Sequence, residues 1–152
     1  MQITLAHIGS PPRSQDAFEG AVRDYLKRCV GVAACGIEAF RTEAAFFDWI
    51  GRQKGRTDPV VLLLDGSGRP MSSEAFADLL GARRNEGTQH VVFAIGPADG
   101  WSENARTEAK RMGRLLSLGP MTLAHQLARL VMAEQIYRAC TILTGHPYHT
   151  RH

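Results

Sequence analysis

An α/β domain built on a mostly parallel sheet with helices on both faces is the fold class predicted by this sequence, on three observations. Short apolar runs alternate with segments of helical period along the chain. Two of those runs, Val60 to Leu64 after Pro59 and His90 to Ile95, are apolar without alternation, the pattern of strands buried on both faces. No linker, repeat or low-complexity tract interrupts the 152 residues, so residues 1–152 are expected to form a single domain.

Each element follows from local pattern. Ile3 to Ile8 reads as the first strand, closed by Gly9 and the Ser10-Pro11-Pro12 turn. Phe18, Val22, Tyr25, Leu26 and Cys29 then share one face of a helix capped by Ser14 or Asp16. Gly36 to Phe40 is the second strand, and Thr42 caps a short helix carrying Phe46, Phe47, Trp49 and Ile50. Gly55 to Asp58 is a loop before the third strand, Pro59 to Leu64. Ser72 opens a helix with Phe76, Leu79 and Leu80 inward, and His90 to Ile95 is the fourth strand. Ser102 starts a polar helix reaching about Arg111, and Leu115 to Leu118 is the fifth strand. A final helix from about Leu123 to Thr141 places Leu127, Leu130, Val131 and Tyr137 on its apolar face.

Composition excludes several classes. Hydrophobic content of 44% and charged content of 22% are ordinary for a globular domain. No apolar run approaches the ~20 residues needed to span a bilayer, and the first residues lack the basic and apolar regions of a secretory signal. Cys29, Cys35 and Cys140 form no C-x-x-C pair, which argues against a disulfide framework or a zinc ribbon and for a reducing cytoplasm. Charge is uneven: residues 101–152 hold seven Lys/Arg against three Asp/Glu, with four of the six histidines. A basic C-terminal third is compatible with a polyanionic partner.

Three strand ends bear glycine: Leu64-Asp65-Gly66, Ile95 to Gly100, and Leu118 to Leu123. Ligands of open α/β sheets collect at such ends. Neither G-x-G-x-x-G nor G-x-x-x-x-G-K-[ST] is present, against a dinucleotide dehydrogenase or a phosphate-cradling nucleotidase. The last loop, with Leu118, Met121 and Leu123, is apolar and suits an adenine ring or a thioether. No G-x-S-x-G motif supports a serine hydrolase, and the spacing of His146, His149 and His152 lacks the further ligands of a zinc site, so no metal is expected. Glu134 and Arg138 read most simply as a helix ion pair; Arg129 and Arg138 could instead face RNA or a partner subunit.

The last eight residues, Gly145 to His152, read G-H-P-Y-H-T-R-H. Polar tails are usually solvated, but Pro147 stiffens this one and keeps His146 extended. An arm carrying an aromatic ring, imidazoles and a guanidinium suits stacking on a base and contacting phosphate.

The run Leu116 to Ala139, L-S-L-G-P-M-T-L-A-H-Q-L-A-R-L-V-M-A-E-Q-I-Y-R-A, followed by H-P-Y-H at His146 to His149, resembles the bacterial ribosomal RNA large-subunit methyltransferase H family. Leu64 to Ala77 and Ile95 to Ser102 fall in family order too, so nearly the whole chain is covered. The resemblance implies a SPOUT-type domain with a C-terminal trefoil knot, acting as a cytoplasmic homodimer. It implies methylation of N3 of a pseudouridine in 23S rRNA of the ribosome or large subunit, with S-adenosyl-L-methionine (AdoMet) as methyl donor. Carried over by position, Leu64, Gly96, Leu118, Gly119, Pro120, Met121, Thr122 and Leu123 would hold AdoMet. His146, Tyr148 and His149 would form the catalytic tail, and Arg138 and Arg151 would contact substrate. His146 or His149 is the general-base candidate by residue type. Gly96-Pro97-Ala98-Asp99-Gly100 stands where G-G-P-E-G is common, Ala124 where proline is common, and Gly145 where asparagine is common. The competing readings are a non-catalytic RNA-binding or ribosome-associated module, and a regulator that binds adenine ligands.

Overall fold

The computed structural model describes residues 1–53 and 55–151, with only the backbone of Arg151. Five parallel strands, β1 (Gln2–Ile8), β2 (Ala34–Phe40), β3 (Val60–Pro70), β4 (His90–Ile95) and β5 (Gly113–Ser117), form one sheet in the order β2-β1-β4-β3-β5. The helices between and after them are α1 (Ala17–Lys27), α2 (Glu43–Arg52), α3 (Ser73–Asn85), α4 (Glu103–Met112) and α5 (His125–Leu143). Strand alternation sorts the core into two layers. Ile3, Leu5, Leu62, Val91, Phe93 and Leu116 pack under α1, α3 and α5. Ala6, Ile8, Val61, Leu63, Val92 and Ala94 pack under α2 and α4. The central strand β4 is buried along its whole length, as its unbroken apolar run requires.

Four helices start where a side-chain oxygen can accept from an otherwise unpaired first-turn N–H. Asp16, rather than Ser14, caps α1 by accepting from Phe18 at 2.8 Å, and Thr42, Ser72 and Ser102 cap α2, α3 and α4. Each cap contributes about 1 kcal/mol.

Three expectations fail. Phe18 is exposed on α1, and the carboxylate of Glu19 takes the inward position beside it. Strand β3 does not end at Leu64. It loops out over Asp65 to Gly68 and rejoins β5, with Leu64 and Arg69 both opposite Leu116. On α5 the buried side chains are Arg129, Met132, Ala133, Ile136, Tyr137, Ala139, Cys140 and Thr141, whereas Leu127 is exposed and Leu130 and Val131 are only half-buried. The helix is apolar on most sides, so its own pattern selects no face; docking against α1 and α3 does.

Gly113 is required by close approach, not by conformation: its φ of 179° is ordinary extended backbone. A Cβ there would lie 1.9 Å from the carbonyl oxygen of Val61. Gly113→Ala should therefore push β5 off β3 and cost about 3 kcal/mol in urea unfolding; a loss below ~0.5 kcal/mol would contradict this packing.

Candidate active site at the carboxyl ends of the strands

A cavity of about 730 Å³ opens where the loop-out of β3, the β4–α4 loop and the β5–α5 loop converge. Leu64, Gly96 and every residue from Leu118 to Leu123 line it, with Ile95, Trp101 and Ala128. The structure thus gathers all eight positions expected to hold the methyl donor, from three separate stretches of chain. The volume lies in the range of small-molecule sites, and the aliphatic walls suit a heterocycle or a thioether.

Polar groups hold the three segments in place. Asp65 Oδ1 accepts from the backbone N–H (2.8 Å) and hydroxyl (2.6 Å) of Ser67, and Oδ2 accepts from Arg106 Nε at 2.9 Å. Burial raises the Asp65 carboxyl, but the Ser67 hydrogen bonds and Arg106 outweigh it and hold the group below its ordinary value. Ser117 Oγ accepts from the N–H of Gly119 and donates to its carbonyl, both at 3.1 Å, closing the turn that starts the third wall. Gly119 has φ +118°, a conformation that glycine adopts without strain.

Gly96 serves a purpose different from the one its position suggests. A Cβ at Gly96 would meet the indole of Trp101, with Nε1 at 2.8 Å and Cε2 at 2.9 Å. That buried indole donates to the Leu64 carbonyl at 3.0 Å and so ties the β3 wall to the β4 wall. Gly96→Val should empty the cavity of function by displacing Trp101 rather than by meeting the ligand directly. Trp101→Phe, which loses only the N–H, should weaken AdoMet binding by calorimetry severalfold, since one neutral hydrogen bond contributes about 1 kcal/mol; equal affinities in Trp101→Phe and the native protein would discard this tie.

The tail lies elsewhere. Gly145 at φ +68° ends α5, with its N–H on Ile142 and the N–H of His146 on Thr141. The chain then turns back: the Tyr148 ring packs on Tyr137 at 4.8 Å between centroids, and its hydroxyl donates to Glu134 at 3.0 Å. Arg138 lies over the Tyr148 ring at 4.9 Å while paired with Glu134 at 2.6 Å, so the expected helix ion pair forms. Burial together with Tyr25 and Glu134 pushes the Tyr148 phenol well up, so it stays protonated. His149 sits between Glu74 (2.9 Å) and Arg138 (3.4 Å), and His146 Nδ1 accepts from the Tyr148 N–H at 3.2 Å. His152 and the Arg151 side chain lie outside the described residues. None of His146, Tyr148, His149 or Arg138 lines the cavity.

A second cavity, about 690 Å³, adjoins the first and shares Ala98 and His125 with it. His7, Gly9, Arg13 and Arg129 also line it. Arg129, open on the sequence to an RNA or partner role, is instead almost wholly buried and bonded to Glu19 at 2.5 Å. Burial, then the Arg129 charge, depresses both His7 and His125 and keeps the two rings neutral near pH 7. His7 Nδ1, His125 Nε2 and Arg129 Nε are buried with no hydrogen-bond partner. Pattern reading missed this cluster because its members come from β1, α1 and α5; His125 and Arg129 merely sat inside a recognisable run. Among the described residues no group of three metal-ligating side chains occurs, and no helix is long and apolar enough to cross a membrane.

The profile of a family described as predicted SPOUT methyltransferase matches residues 1–149. A protein of Koribacter versatilis named ribosomal RNA large subunit methyltransferase H is 42% identical over 153 aligned positions, covering the whole of both chains. The protein of the same name in Rhizobium etli (strain CIAT 652) is 51% identical over 90 positions, covering 59% of this chain and 54% of its own. Among solved structures, the SpoU methyltransferase AviRb of Streptomyces viridochromogenes, in complex with AdoMet, aligns with TM-score 0.48 and 13% identity over 91% of this chain and 57% of its own. A match over 149 of 152 residues, with full-length identity of 42%, establishes that this chain belongs to the SPOUT methyltransferase family.

Proposed function

We propose that this protein transfers a methyl group from AdoMet to N3 of a pseudouridine in 23S rRNA of the large ribosomal subunit. The observation that carries the reading is the three-walled cavity, in which Leu64, Gly96 and Leu118 to Leu123 converge in a member of this family. Its fit to AdoMet rests on aliphatic walls for the adenine and thioether and on a volume of about 730 Å³. When bound, AdoMet supplies an electrophilic methyl group on a sulfonium centre. The chain's contribution is alignment: Asp65, Arg106 and Trp101 fix the walls, so the acceptor nitrogen can be held in line with the methyl. Aliphatic surroundings also favour loss of the sulfonium charge.

The working form is a homodimer of single-domain chains, residues 1–152, with a knotted C-terminal topology, acting on ribosomes in the cytoplasm. The exposed Leu127 and the half-buried Leu130 and Val131 of α5 supply an apolar stripe for self-association. Dimerisation also answers where the tail works. Glu134, against which Tyr148 packs, lies six residues beyond the cavity-lining Ala128, about 9 Å along the helix axis. His146, Tyr148, His149, Arg138 and Arg151 would then serve the partner's cavity, gripping the target nucleotide by stacking and charge.

Mass mapping of 23S rRNA from cells lacking the gene tests the reading: one methylated pseudouridine should disappear and return on complementation. Purified protein should bind AdoMet with micromolar affinity, roughly −8 kcal/mol. RNA binding that ignores AdoMet, with no methylation lost in the mutant, would favour a non-catalytic RNA-binding module instead.

A further inference from the structure

We propose that a row of arginines along the outer edge of β5 binds the phosphate backbone of the rRNA strand that leads into the methyl-donor cavity. This rests on the substrate reading above and adds the surface that grips the RNA beside the target nucleotide.

The sheet order leaves β5 at an edge, paired only with β3. Two adjoining clefts, of about 330 and 250 Å³, run between this edge and α3 and share Leu79, Arg83 and Arg114. Arg69 completes the first cleft and Arg111 the second. Strand register produces the row. Arg114 stands opposite Leu62, and Arg69 opposite Leu116. Leu62 and Leu116 belong to the core layer beneath α3, so both arginines issue on that face, two residues or about 6.6 Å apart along the strand.

Among the described residues no Asp or Glu lines either cleft. Arg83 and Arg111 occupy the last turns of α3 and α4, where the helix dipole favours a cation, and they pair with Glu86 and Glu108. Those two have a local explanation. Arg69 and Arg114 have none, since no described carboxylate lies within ion-pair distance of either. Like charges gathered in one cleft repel, and a bound polyanion removes that repulsion. A second observation ties the row to the reaction. The methyl-donor cavity shares Ser117, Leu118 and Gly119 with a cavity of about 280 Å³, which in turn shares Pro70, Met71 and Ser72 with the first arginine cleft. An RNA strand leaving the target nucleotide along this path meets the apolar Leu118 and Met71, then the guanidiniums of Arg69, Arg114 and Arg83. Guanidinium suits the task because its planar fork bonds phosphate oxygens in pairs.

The test compares native protein with Arg69→Gln/Arg114→Gln and with a control, Lys27→Gln/Arg52→Gln. The control removes the same charge from exposed ends of α1 and α2, the helices beside β2 at the opposite edge of the sheet. Substrates are ribosomes and large subunits from cells lacking the gene. The arginine variant should raise KM for these particles roughly tenfold, with kcat within about twofold and AdoMet affinity by calorimetry unchanged. On deproteinised 23S rRNA its slope of log affinity against log salt should fall by about 1.4, roughly 0.7 for each lost single-strand phosphate contact. The control should leave KM within about twofold of native. Native KM in a folded arginine variant, or an equal rise in the control, overturns this surface while leaving the function standing. An unchanged salt slope overturns it too, and would assign the row to a ribosomal protein or to guarding the strand edge against aggregation. Native protein that binds AdoMet but methylates neither particle overturns the substrate reading and the surface with it. Should the arginine variant fail to fold, phenylglyoxal labelling of native protein decides: large subunits should shield Arg69 and Arg114 but not Arg52, and equal labelling with and without subunits overturns the proposal.

Discussion

A protein ending at Thr144 should fold, dimerise and bind AdoMet, yet methylate ribosomal RNA at least ~100-fold more slowly. Removing the tail strips Tyr148 from Tyr137 and from Arg138, and removes the two backbone bonds that close α5. The lost aromatic pairing and cap cost about 1–2 kcal/mol, a modest share of a domain's stability. The Tyr137 hydroxyl still accepts from Arg28 Nη2 at 2.8 Å, and α5 keeps its contacts with α1 and α3, so the scaffold survives. No described tail residue borders the first cavity, so AdoMet affinity is expected to hold. What disappears is stacking worth roughly 1–3 kcal/mol per base and the positioning supplied by His146 and His149. Mixing the truncated protein with Gly96→Val tests the dimeric arrangement. Recovered activity would mean that one subunit's tail serves the other's cavity; none, with subunit exchange demonstrated, would mean that each site is built from one chain. Full activity of the truncated protein alone would refute the role of the tail.

Arg129→Met should be the most damaging single substitution for stability, at about 3–5 kcal/mol. Arg129 and Glu19 are both almost fully buried and share one 2.5 Å hydrogen bond, while Glu19 also faces the exposed Arg23 at 2.8 Å. Deleting the guanidinium leaves a carboxylate in the core with only a solvent-exposed partner. The double variant Glu19→Gln/Arg129→Met removes the uncompensated charge and should recover much of the loss, so the two substitutions should be strongly non-additive in urea unfolding. A loss under ~1 kcal/mol in Arg129→Met, or additive effects in the double variant, would mean that the pair does not hold α1 to α5.

Most of the scaffold was legible because it is local. Unbroken apolar runs marked β3 and β4, and Thr42, Ser72 and Ser102 marked helix starts, since strand burial and capping act over a few residues. The loop Leu118 to Leu123 was legible as the apolar lining of a cavity for the same reason, its apolarity being unusual in a turn. The run through Ala139 and the H-P-Y-H tail identified the family and with it the chemistry.

Other features depend on contacts between distant segments. Trp101 covers Gly96 because its indole is held by the Leu64 carbonyl on another strand, and nothing near Gly113 announces the Val61 carbonyl. The loop-out of β3 exists because Arg69 and Pro70 pair again with β5, more than forty residues later. The inward face of α5 was ambiguous because an almost uniformly apolar helix gains similar burial free energy in several rotations. Glu19 selects among them by requiring Arg129 inside, and that choice carries His125 to the boundary of two cavities. By itself, then, the sequence determined the element order, the caps of α2, α3 and α4, the family and the apolar wall of the first cavity, all set by short-range propensity and motif. Only the tertiary structure decided which groups meet across the sheet, because burial and charge pairing are properties of the assembled chain and not of any one segment.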